Sequence, residues 1–247
     1  VGSDAYYWKY GPKKLRYTPF KDVLKYDIKS DKFNYYQSQN SFDFNQKISF
    51  DVDGVIPMVP DYQICYEPHS NLRPLIPIPV NIDKIVYEKN TIKKKIIIFH
   101  GLNRFGFKGT KYIEDAFKVL SKKYPLDLEL IIKGRMPLKI YLEILSQANI
   151  VIDQTNTYSL GVNGIFALAM GKVVMGGSEP ESLNRLGIKE SPVINIKPNS
   201  KDIVMKVEEI LKNKSSIEKI GKKSRLFAEK NHNYLKIAKR FLVEWNF

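Results

Sequence analysis

Two cations and several glycines occur together between Gly101 and Thr110. Arg104 can donate to two phosphate oxygens at once, and Lys108 can act as a point charge beside them. The glycines would let a ligand approach the backbone closely. These residue types fit a diphosphate group, although an ordinary connection between a strand and a helix could have the same composition. The segment matches neither a dinucleotide-binding fingerprint nor a Walker A motif.

A second anion-binding element is predicted between Asp153 and Val174. It follows the apolar run 150–152, which is typical of a buried strand, and from Gly161 onward it has small residues at helical spacing. A loop that enters a helix behind a parallel strand presents unpaired backbone N–H groups at the carboxyl edge of the sheet. Open α/β sheets bind their ligands at that edge.

Two carboxylates, Glu179 and Glu181, follow Gly176-Gly177 at the end of another predicted strand. A carboxylate there could accept hydrogen bonds from a ribose or a sugar. It could equally place negative charge at the N-terminus of the following helix. The residues alone leave both interpretations open.

A metal site has weaker support. Asp51 and Asp53 match the Asp-x-Asp pattern through which many sugar-nucleotide enzymes hold a divalent cation, but three-residue matches are common by chance. We therefore expect a structural role for this pair, and neither a metal nor a cofactor. Of the three histidines, only His100 lies beside the expected ligand site, and a structural role is the commoner one for such a residue.

The elements predicted to position these side chains are strands that alternate with helices along the chain. Strands are predicted over 95–100, 128–132, 149–152, 172–175 and 193–194. Helices are predicted over 110–124, from Pro137, over 162–170, 181–186 and 202–211, from Ser215 with Glu218 in a capping box, and over 235–245. The fold class is therefore α/β, with a Rossmann-like parallel sheet covered by helices on both faces.

The first part of the chain has weaker periodicity. A turn is predicted over 8–12 and a short strand over 52–57, followed by a helix that starts at Pro60. The segment 75–80 contains two prolines, which favours an extended linker over a central strand. We expect a partial N-terminal α/β domain with its linker over 1–81 and a nucleotide-sugar-binding domain over 82–247, whose last helix covers about 234–246.

Composition sets broad limits. The 247 residues are 43% hydrophobic, which indicates a globular protein, and the longest apolar runs are too short to span a bilayer. The single cysteine, Cys65, excludes an internal disulfide and fits a reducing compartment. The net charge of +14 favours anionic partners, but the lysines are spread along the chain, so charge alone selects no function.

In combination the motifs resemble a family. From Ile96 to Trp245 the chain is similar to the C-terminal, donor-binding domain of GT-B glycosyltransferases of the retaining family 4, also called group 1. The similarity is carried by Gly101 with Arg104 and Lys108-Gly109, by Ala167-x-Ala169-x-Gly171-Lys172-x-Val174, by Gly176-Gly177 with Glu179 or Glu181, and by Ile220-Gly221-Lys222-Lys223-Ser224-Arg225 before the last helix.

The resemblance implies that Arg104 and Lys108 hold the diphosphate of the donor, assisted by backbone N–H groups around Leu160, Gly161 and Val162. It also implies that the last helix crosses back to the N-terminal domain.

One departure concerns the donor sugar and its ribose. The family usually carries two glutamates eight positions apart, and their register falls on Tyr158 and Phe166. The first glutamate normally contacts the donor sugar and the second the ribose hydroxyls. Nearby polar candidates are Gln154, Asn156, Ser159 and Asn163, with Glu179 and Glu181 from the next strand end. No catalytic residue is assigned.

The N-terminal part resembles the tail of the partner domain, with Gly2-Ser3-Asp4 as a turn and Asp53-Gly54-Val55-Ile56 as a late strand. The acceptor side would then be largely absent from this chain.

The implied activity is transfer of a sugar from a nucleotide-diphosphate sugar to a glycan or lipid-linked glycan in cell-surface polysaccharide synthesis. The transfer would be of the hexosyltransferase type, retaining and metal-independent, in the cytoplasm, with peripheral contact to an anionic membrane. One alternative is a non-catalytic nucleotide-sugar-binding partner in polysaccharide assembly. Another, suggested only by the charge, is a nucleic-acid-binding module.

Overall fold

The computed structural model describes residues 5–21, 38–102 and 106–245, and its centre is a five-stranded parallel sheet. The strands are β1 (Ile96–Leu102), β2 (Leu128–Gly134), β3 (Ile150–Ile152), β4 (Val173–Gly176) and β5 (Ile194–Asn195). Their spatial order is β2-β1-β3-β4-β5, and every pair is parallel. The predicted Rossmann-like sheet is therefore confirmed.

Apart from the short helical stretch at residues 19–21, the described part of the chain contains eleven helical segments. They are α1 (Ala5–Lys14), α2 (Gln39–Asp51), α3 (Pro60–Tyr66), a 3-10 turn (Ile82–Lys84), α4 (Thr110–Lys123), α5 (Leu138–Gln147), α6 (Val162–Ala169), α7 (Pro180–Leu186), α8 (Ser200–Lys212), α9 (Ser216–Asn231) and α10 (Tyr234–Glu244).

The central strands are apolar throughout because helices cover both faces of the sheet. Successive residues in a strand point to opposite faces, so Ile150 and Ile152 enter one hydrophobic cluster and Val151 enters the other. The first cluster includes Ile113 of α4 and Val207 of α8, and the second includes side chains of α5, α6 and α9. Both faces of the sheet are therefore held rigidly, which fixes where its strand ends lie.

The N-terminal part differs from two predictions. The turn predicted over 8–12 is wrong, because these residues lie inside α1 with Pro12 in its second half. Burial of Tyr6 and Tyr7 in an aromatic cluster holds the helix despite the local Gly and Pro signals. The strand predicted over 52–57 is reduced to one parallel bridge between Val55 and Leu72.

The capping box predicted at the start of α9 is also wrong. Ser215 has helical backbone angles and no cap bond from its side chain, and its hydroxyl is 3.0 Å from the Asn213 Oδ1 acceptor. Glu218 instead pairs with Lys89, with 3.1 Å between Nζ and Oε1.

The segment 75–80 is extended, as predicted, and the chain's end packs against it. Val80 forms a parallel bridge with Asn233, and the His232 Nδ1 atom is 2.8 Å from the Ile78 carbonyl oxygen. The Arg240 guanidinium on α10 donates to the Leu75 carbonyl oxygen. Within the described residues, no helix is both long and apolar enough to cross a bilayer.

Candidate functional site

The strand order creates a crevice between β1 and β3. The chain leaves β1 towards β2 on one side and continues from β3 towards β4 on the other, so the loops after β1 and β3 diverge at the carboxyl edge. Such a switch point is the usual ligand site of open α/β sheets. The β1 loop is residues 103–109, of which 106–109 are described, and the β3 loop is residues 153–161.

A buried ion pair lies at this crevice. The Lys108 Nζ atom is 3.1 Å from Asp153 Oδ1, and the two side chains are only 13% and 1% exposed. The other carboxylate oxygen of Asp153 accepts a 2.7 Å hydrogen bond from the Gly161 N–H group at the start of α6. Asp153 thereby places negative charge at a helix N-terminus, where the dipole favours it.

Asp153 joins two predicted site residues, Lys108 and Gly161, although the sequence analysis did not single it out. Its position directly after a buried strand was the one signal available, since charged residues at strand ends often point into sites.

The two loops are tied together along their length. The Thr155 N–H group donates to the Lys108 carbonyl oxygen, and the Asn156 amide donates to the Gly106 and Phe107 carbonyl oxygens. Gly109 adopts a φ of +69°, and a Cβ there would lie 2.0 Å from Thr155 Oγ1. The close approach of the loops therefore depends on glycine at this position.

Helix α6 begins beside the ion pair. Its first internal bond runs from the Ile165 N–H group to the Gly161 carbonyl, so the N–H groups of residues 162–164 have no partner within the helix. The side chains of Val162 and Asn163 are exposed or half-buried, whereas Leu160 is buried in the second hydrophobic cluster. The predicted Leu160 and Val162 can therefore offer only backbone groups or an apolar surface to an anion.

Tyr158 and Ser159 contact the N-terminal part. Tyr158 is buried among aromatic residues, and its hydroxyl accepts a 2.8 Å hydrogen bond from the Arg16 N–H group. The Asp61 carboxylate accepts from the Tyr158 N–H group at 3.0 Å and from the Ser159 hydroxyl at 3.1 Å. Burial raises the pKa of Asp61, while these donors oppose the rise. Sequence reasoning missed Asp61, whose partners lie about a hundred residues away.

Phe166 occupies the second position at which the family that the sequence resembles carries a glutamate. It lies on α6 and packs, half-buried, against the second hydrophobic cluster, whereas Tyr158 belongs to the N-terminal aromatic cluster. The structure does not bring these two side chains into one polar site.

Glu179 and Glu181 are engaged by the N-terminal segment. Buried Glu179 accepts from the Arg16 guanidinium, from the Tyr17 hydroxyl at 2.6 Å and from the Asn195 amide at 2.8 Å. Glu181 pairs with the other side of Arg16, which lowers the pKa of that glutamate. Burial raises the pKa of Tyr17, and the Glu179 carboxylate adds to the rise.

His100 has a structural role in this environment. It is fully buried, with Nδ1 2.8 Å from the Ile152 carbonyl oxygen and Nε2 3.0 Å from Thr110 Oγ1. Burial lowers the pKa of His100 to about 4, so the ring is neutral at pH 7. A neutral ring that donates from Nδ1 must accept at Nε2 from the Thr110 hydroxyl, so it links β1, β3 and α4.

The remaining candidates are Arg104 for the diphosphate and the pair Asp51 and Asp53 for a metal ion. Arg104 lies outside the described residues. Asp51 and Asp53 are exposed at the end of α2 and just beyond it, and the described ranges contain no group of three His, Cys, Asp or Glu residues placed to hold a metal ion.

A cavity of about 210 Å³ lies between the N-terminal helices and the β3 loop. Its polar lining comes from Asp61, Gln154, Thr157 and Ser159, and it reaches Gly161 at the start of α6. Apolar residues including Phe107 and Leu160 form the rest of its wall.

No protein-family model matches the chain, and no curated protein matches it in sequence. Several solved structures, however, are similar to the chain in fold. HepE of Anabaena, solved with UDP and glucose, has a TM-score of 0.66 at 11% identity over 85% of this chain and 67% of its own. Sucrose-phosphate synthase from Thermosynechococcus elongatus has 0.61 at 17% identity, over 91% and 65%. A point mutant of S. aureus TarM, solved with fondaparinux, alpha-GlcNAc-glycerol and UDP, has 0.67 at 15% identity, over 85% and 47%.

Over the matched part, the chain has the GT-B fold. It spans between 47% and 67% of the length of these three proteins. At such low identity the similarity establishes the architecture, and the predicted α/β fold class is confirmed.

Gly109→Ala should reduce the free energy of unfolding more than Gly187→Ala does. Both glycines have a φ near +70°, but nothing lies within 4 Å of a Cβ at Gly187, whereas Thr155 Oγ1 would be 2.0 Å away at Gly109. We expect a cost of about 1 kcal/mol for Gly187→Ala and roughly 1–3 kcal/mol more for Gly109→Ala. Urea unfolding measures both, and equal costs would contradict the close packing of the two loops.

His100 should make stability depend on pH. Its folded pKa of about 4 lies below the ordinary value of 6.5, so the unfolded chain binds the extra proton between these values. This contribution, about 3 kcal/mol, is complete above pH 6.5 and is lost as the pH falls towards 4. Urea unfolding of His100→Asn across this range should give a lower stability at pH 7 but a smaller decrease with acid. Parallel pH profiles for the two proteins would contradict this assignment.

Proposed function

We propose that this chain forms the donor-binding side of a glycosyltransferase that moves a sugar from a nucleotide-diphosphate sugar to a hydroxyl of a glycan or lipid-linked glycan. The observation that carries the proposal is the ion pair of Lys108 with Asp153, whose second oxygen accepts from the Gly161 N–H group at the start of α6, at the switch point between β1 and β3. The GT-B fold and the structures of HepE and TarM solved with UDP support a nucleotide-sugar donor.

Lys108 is proposed to bind the donor diphosphate together with Arg104 and the free N–H groups at the start of α6. Lys108 now faces Asp153, so a bound diphosphate would share its ammonium group with that carboxylate. The leaving diphosphate gains negative charge during transfer, and prearranged cations and N–H groups stabilise such charge. Because they supply the counter-charge, we propose a metal-independent reaction that needs no cofactor. The family resemblance further suggests hexosyl transfer with retention.

The donor sugar is proposed to lie towards the cavity beside the β3 loop. Tyr158 is committed to the N-terminal aromatic cluster, so it is replaced as a sugar contact by Gln154, Thr157 and Ser159, which line the cavity. Asn163 lies at the start of α6 and is the polar candidate nearest the ribose position in sequence. Contact with Glu179 or Glu181 would require displacement of Arg16.

The setting proposed for this reaction is cell-surface polysaccharide synthesis at the cytoplasmic face of a membrane. The net charge of +14 suits anionic lipids and phosphate-linked acceptors, to which the protein would bind peripherally.

A second candidate is a non-catalytic nucleotide-sugar-binding partner in polysaccharide assembly. The observation that favours it is the burial of Tyr158 against Asp61 and Arg16 in place of a carboxylate facing the donor. Release of nucleoside diphosphate from any donor sugar by the protein in its full natural length, in the presence of acceptor, would exclude this candidate.

Calorimetric titration of UDP, GDP, ADP and CMP should reveal preferential binding of one diphosphate. Lys108→Ala should weaken that binding about tenfold or more, because it removes a charge-assisted contact. Lys118→Ala is the matched control, since Lys118 also pairs with an aspartate, 3.2 Å from Asp115, but is exposed on α4.

Two results would contradict the donor site. One is the absence of binding by a folded protein with any of the diphosphates. The other is equal weakening by the Lys108 and Lys118 substitutions, which would indicate a general effect of charge.

A further inference from the structure

Three acidic side chains are buried in the described part of the chain, and all three contact the loops that follow β3 and β4 or belong to them. Asp153 is paired with Lys108. Glu179 is paired with Arg16. Asp61, which is 1% exposed, has only uncharged hydrogen-bond partners among the described residues. A buried carboxylate without a cation is costly, and beside a cavity it marks a candidate functional group.

The partners of Asp61 all donate to it. Oδ1 accepts from the Tyr158 N–H group at 3.0 Å and lies 3.5 Å from the Tyr7 hydroxyl. Oδ2 accepts from the Ser159 hydroxyl at 3.1 Å. An ionised carboxylate can only accept, so the single proton of that hydroxyl is directed at Oδ2. Ser159 can therefore act towards the cavity beside it only as an acceptor.

Two other polar side chains of the cavity are oriented in the same sense. The Thr157 hydroxyl donates to the Ser159 carbonyl oxygen at 2.7 Å, and the Gln154 amide donates to the same oxygen at 3.2 Å. Thr157 is thus left with lone pairs, and Gln154 with its oxygen and one N–H. Together with Asp61, these side chains offer mostly acceptors to the cavity, next to a buried negative charge.

The size of the cavity limits what can enter it. Its volume of about 210 Å³ corresponds to roughly seven water molecules, which is enough for one sugar ring. Apolar side chains such as Phe107 and Leu160 form the rest of the wall, and they can pack against the carbon–hydrogen faces of such a ring.

We propose that this cavity selects an uncharged donor sugar that donates hydrogen bonds through its hydroxyl groups, that it rejects a uronic acid, and that Asp61 sets this preference through Ser159. A sugar hydroxyl can donate to the acceptors of the wall. The carboxylate of a uronic acid has no proton to donate, and it would bring a second negative charge close to Asp61, where little water screens the repulsion. The proposal rests on the donor site proposed above, because it concerns the sugar carried by the diphosphate.

The experiment compares pairs of nucleotide sugars that differ only in a hydroxymethyl group or a carboxylate on the sugar. The pairs are UDP-glucose with UDP-glucuronate, UDP-galactose with UDP-galacturonate, and GDP-mannose with GDP-mannuronate, each titrated calorimetrically into the unaltered protein. We expect the uncharged member of at least one pair to bind about tenfold or more tightly than its uronate, because juxtaposed like charges are strongly unfavourable.

Asp61→Asn should abolish most of this preference. The asparagine side chain has one acceptor oxygen and one donor amide, so with its oxygen on the Tyr158 N–H group its amide faces Ser159. The Ser159 proton then turns towards the cavity, and the negative charge is gone. The affinity ratio within a pair should therefore fall towards one, with UDP or GDP as the reference that carries no sugar.

Ser159→Ala separates the acceptor from the charge. It removes the hydroxyl but leaves the Asp61 carboxylate, so it should weaken binding of the uncharged sugar while the uronate is still rejected. Asp127→Asn is the matched control, since it makes the same change at a carboxylate that is 42% exposed and pairs with Lys214 before β2. This control should leave the affinity ratio unchanged.

The outcomes distinguish this proposal from the proposed function. Equal affinity within every pair, or tighter binding of a uronate, would overturn this proposal alone while the nucleotides still bind. A preference that Asp61→Asn leaves intact would overturn the role of Asp61. Binding of no nucleotide by the folded protein would overturn the donor site and this proposal together.

Discussion

The carboxylate of Asp153 is the constraint on which the arrangement of the crevice depends. It is almost completely buried, and a buried charge is tolerated only when it is paired and hydrogen-bonded. Lys108 and the Gly161 N–H group satisfy its two oxygens, which fixes the β1 loop against the start of α6. The same ion pair reduces the net positive charge of the crevice, because the Lys108 ammonium is already paired with Asp153. The proposed diphosphate would therefore have to join this network through further N–H groups of α6, since Lys108 is already paired.

The contact between the N-terminal part and the β3 loop accounts for the tyrosine that replaces a glutamate of the family that the sequence resembles. The Tyr158 side chain enters a cluster of aromatic rings, and its ring centre is 5.0 Å from that of Tyr17. An ionised glutamate at this position would be desolvated, whereas a phenol can bury its ring and keep one hydrogen bond through its hydroxyl. Asp61 supplies one of the buried carboxylates of this region, but it faces the backbone of the β3 loop. A tyrosine at this position therefore suits the close packing of the two parts, and under the proposed function a sugar would meet Gln154 and Thr157, which line the neighbouring cavity.

The sheet and the helices after Ile96 could be predicted from sequence because their signals are strong and local. The central strands are continuous apolar runs, and α4 repeats its buried residues at helical spacing. Helix α1 could not be predicted, since Gly11 and Pro12 are local turn signals while the burial that holds the helix comes from distant rings. Asp61 and Asp153 were missed for a related reason: a single carboxylate carries no spacing pattern, and its partners are set by the tertiary fold. Lys108 was singled out because glycines and a second cation accompany it in the sequence, and its contact with a ligand stays a prediction.

The meaning of the net charge likewise lies in where each lysine is placed. Lys172 is almost fully buried and holds Glu88 and the Ser146 carbonyl oxygen, and Lys108 holds Asp153, so both are used internally. Lys239 is exposed on α10, and Lys222 is exposed on α9, so the charge of both faces the solvent. A total of +14 cannot distinguish these roles, which is why composition alone selected no partner.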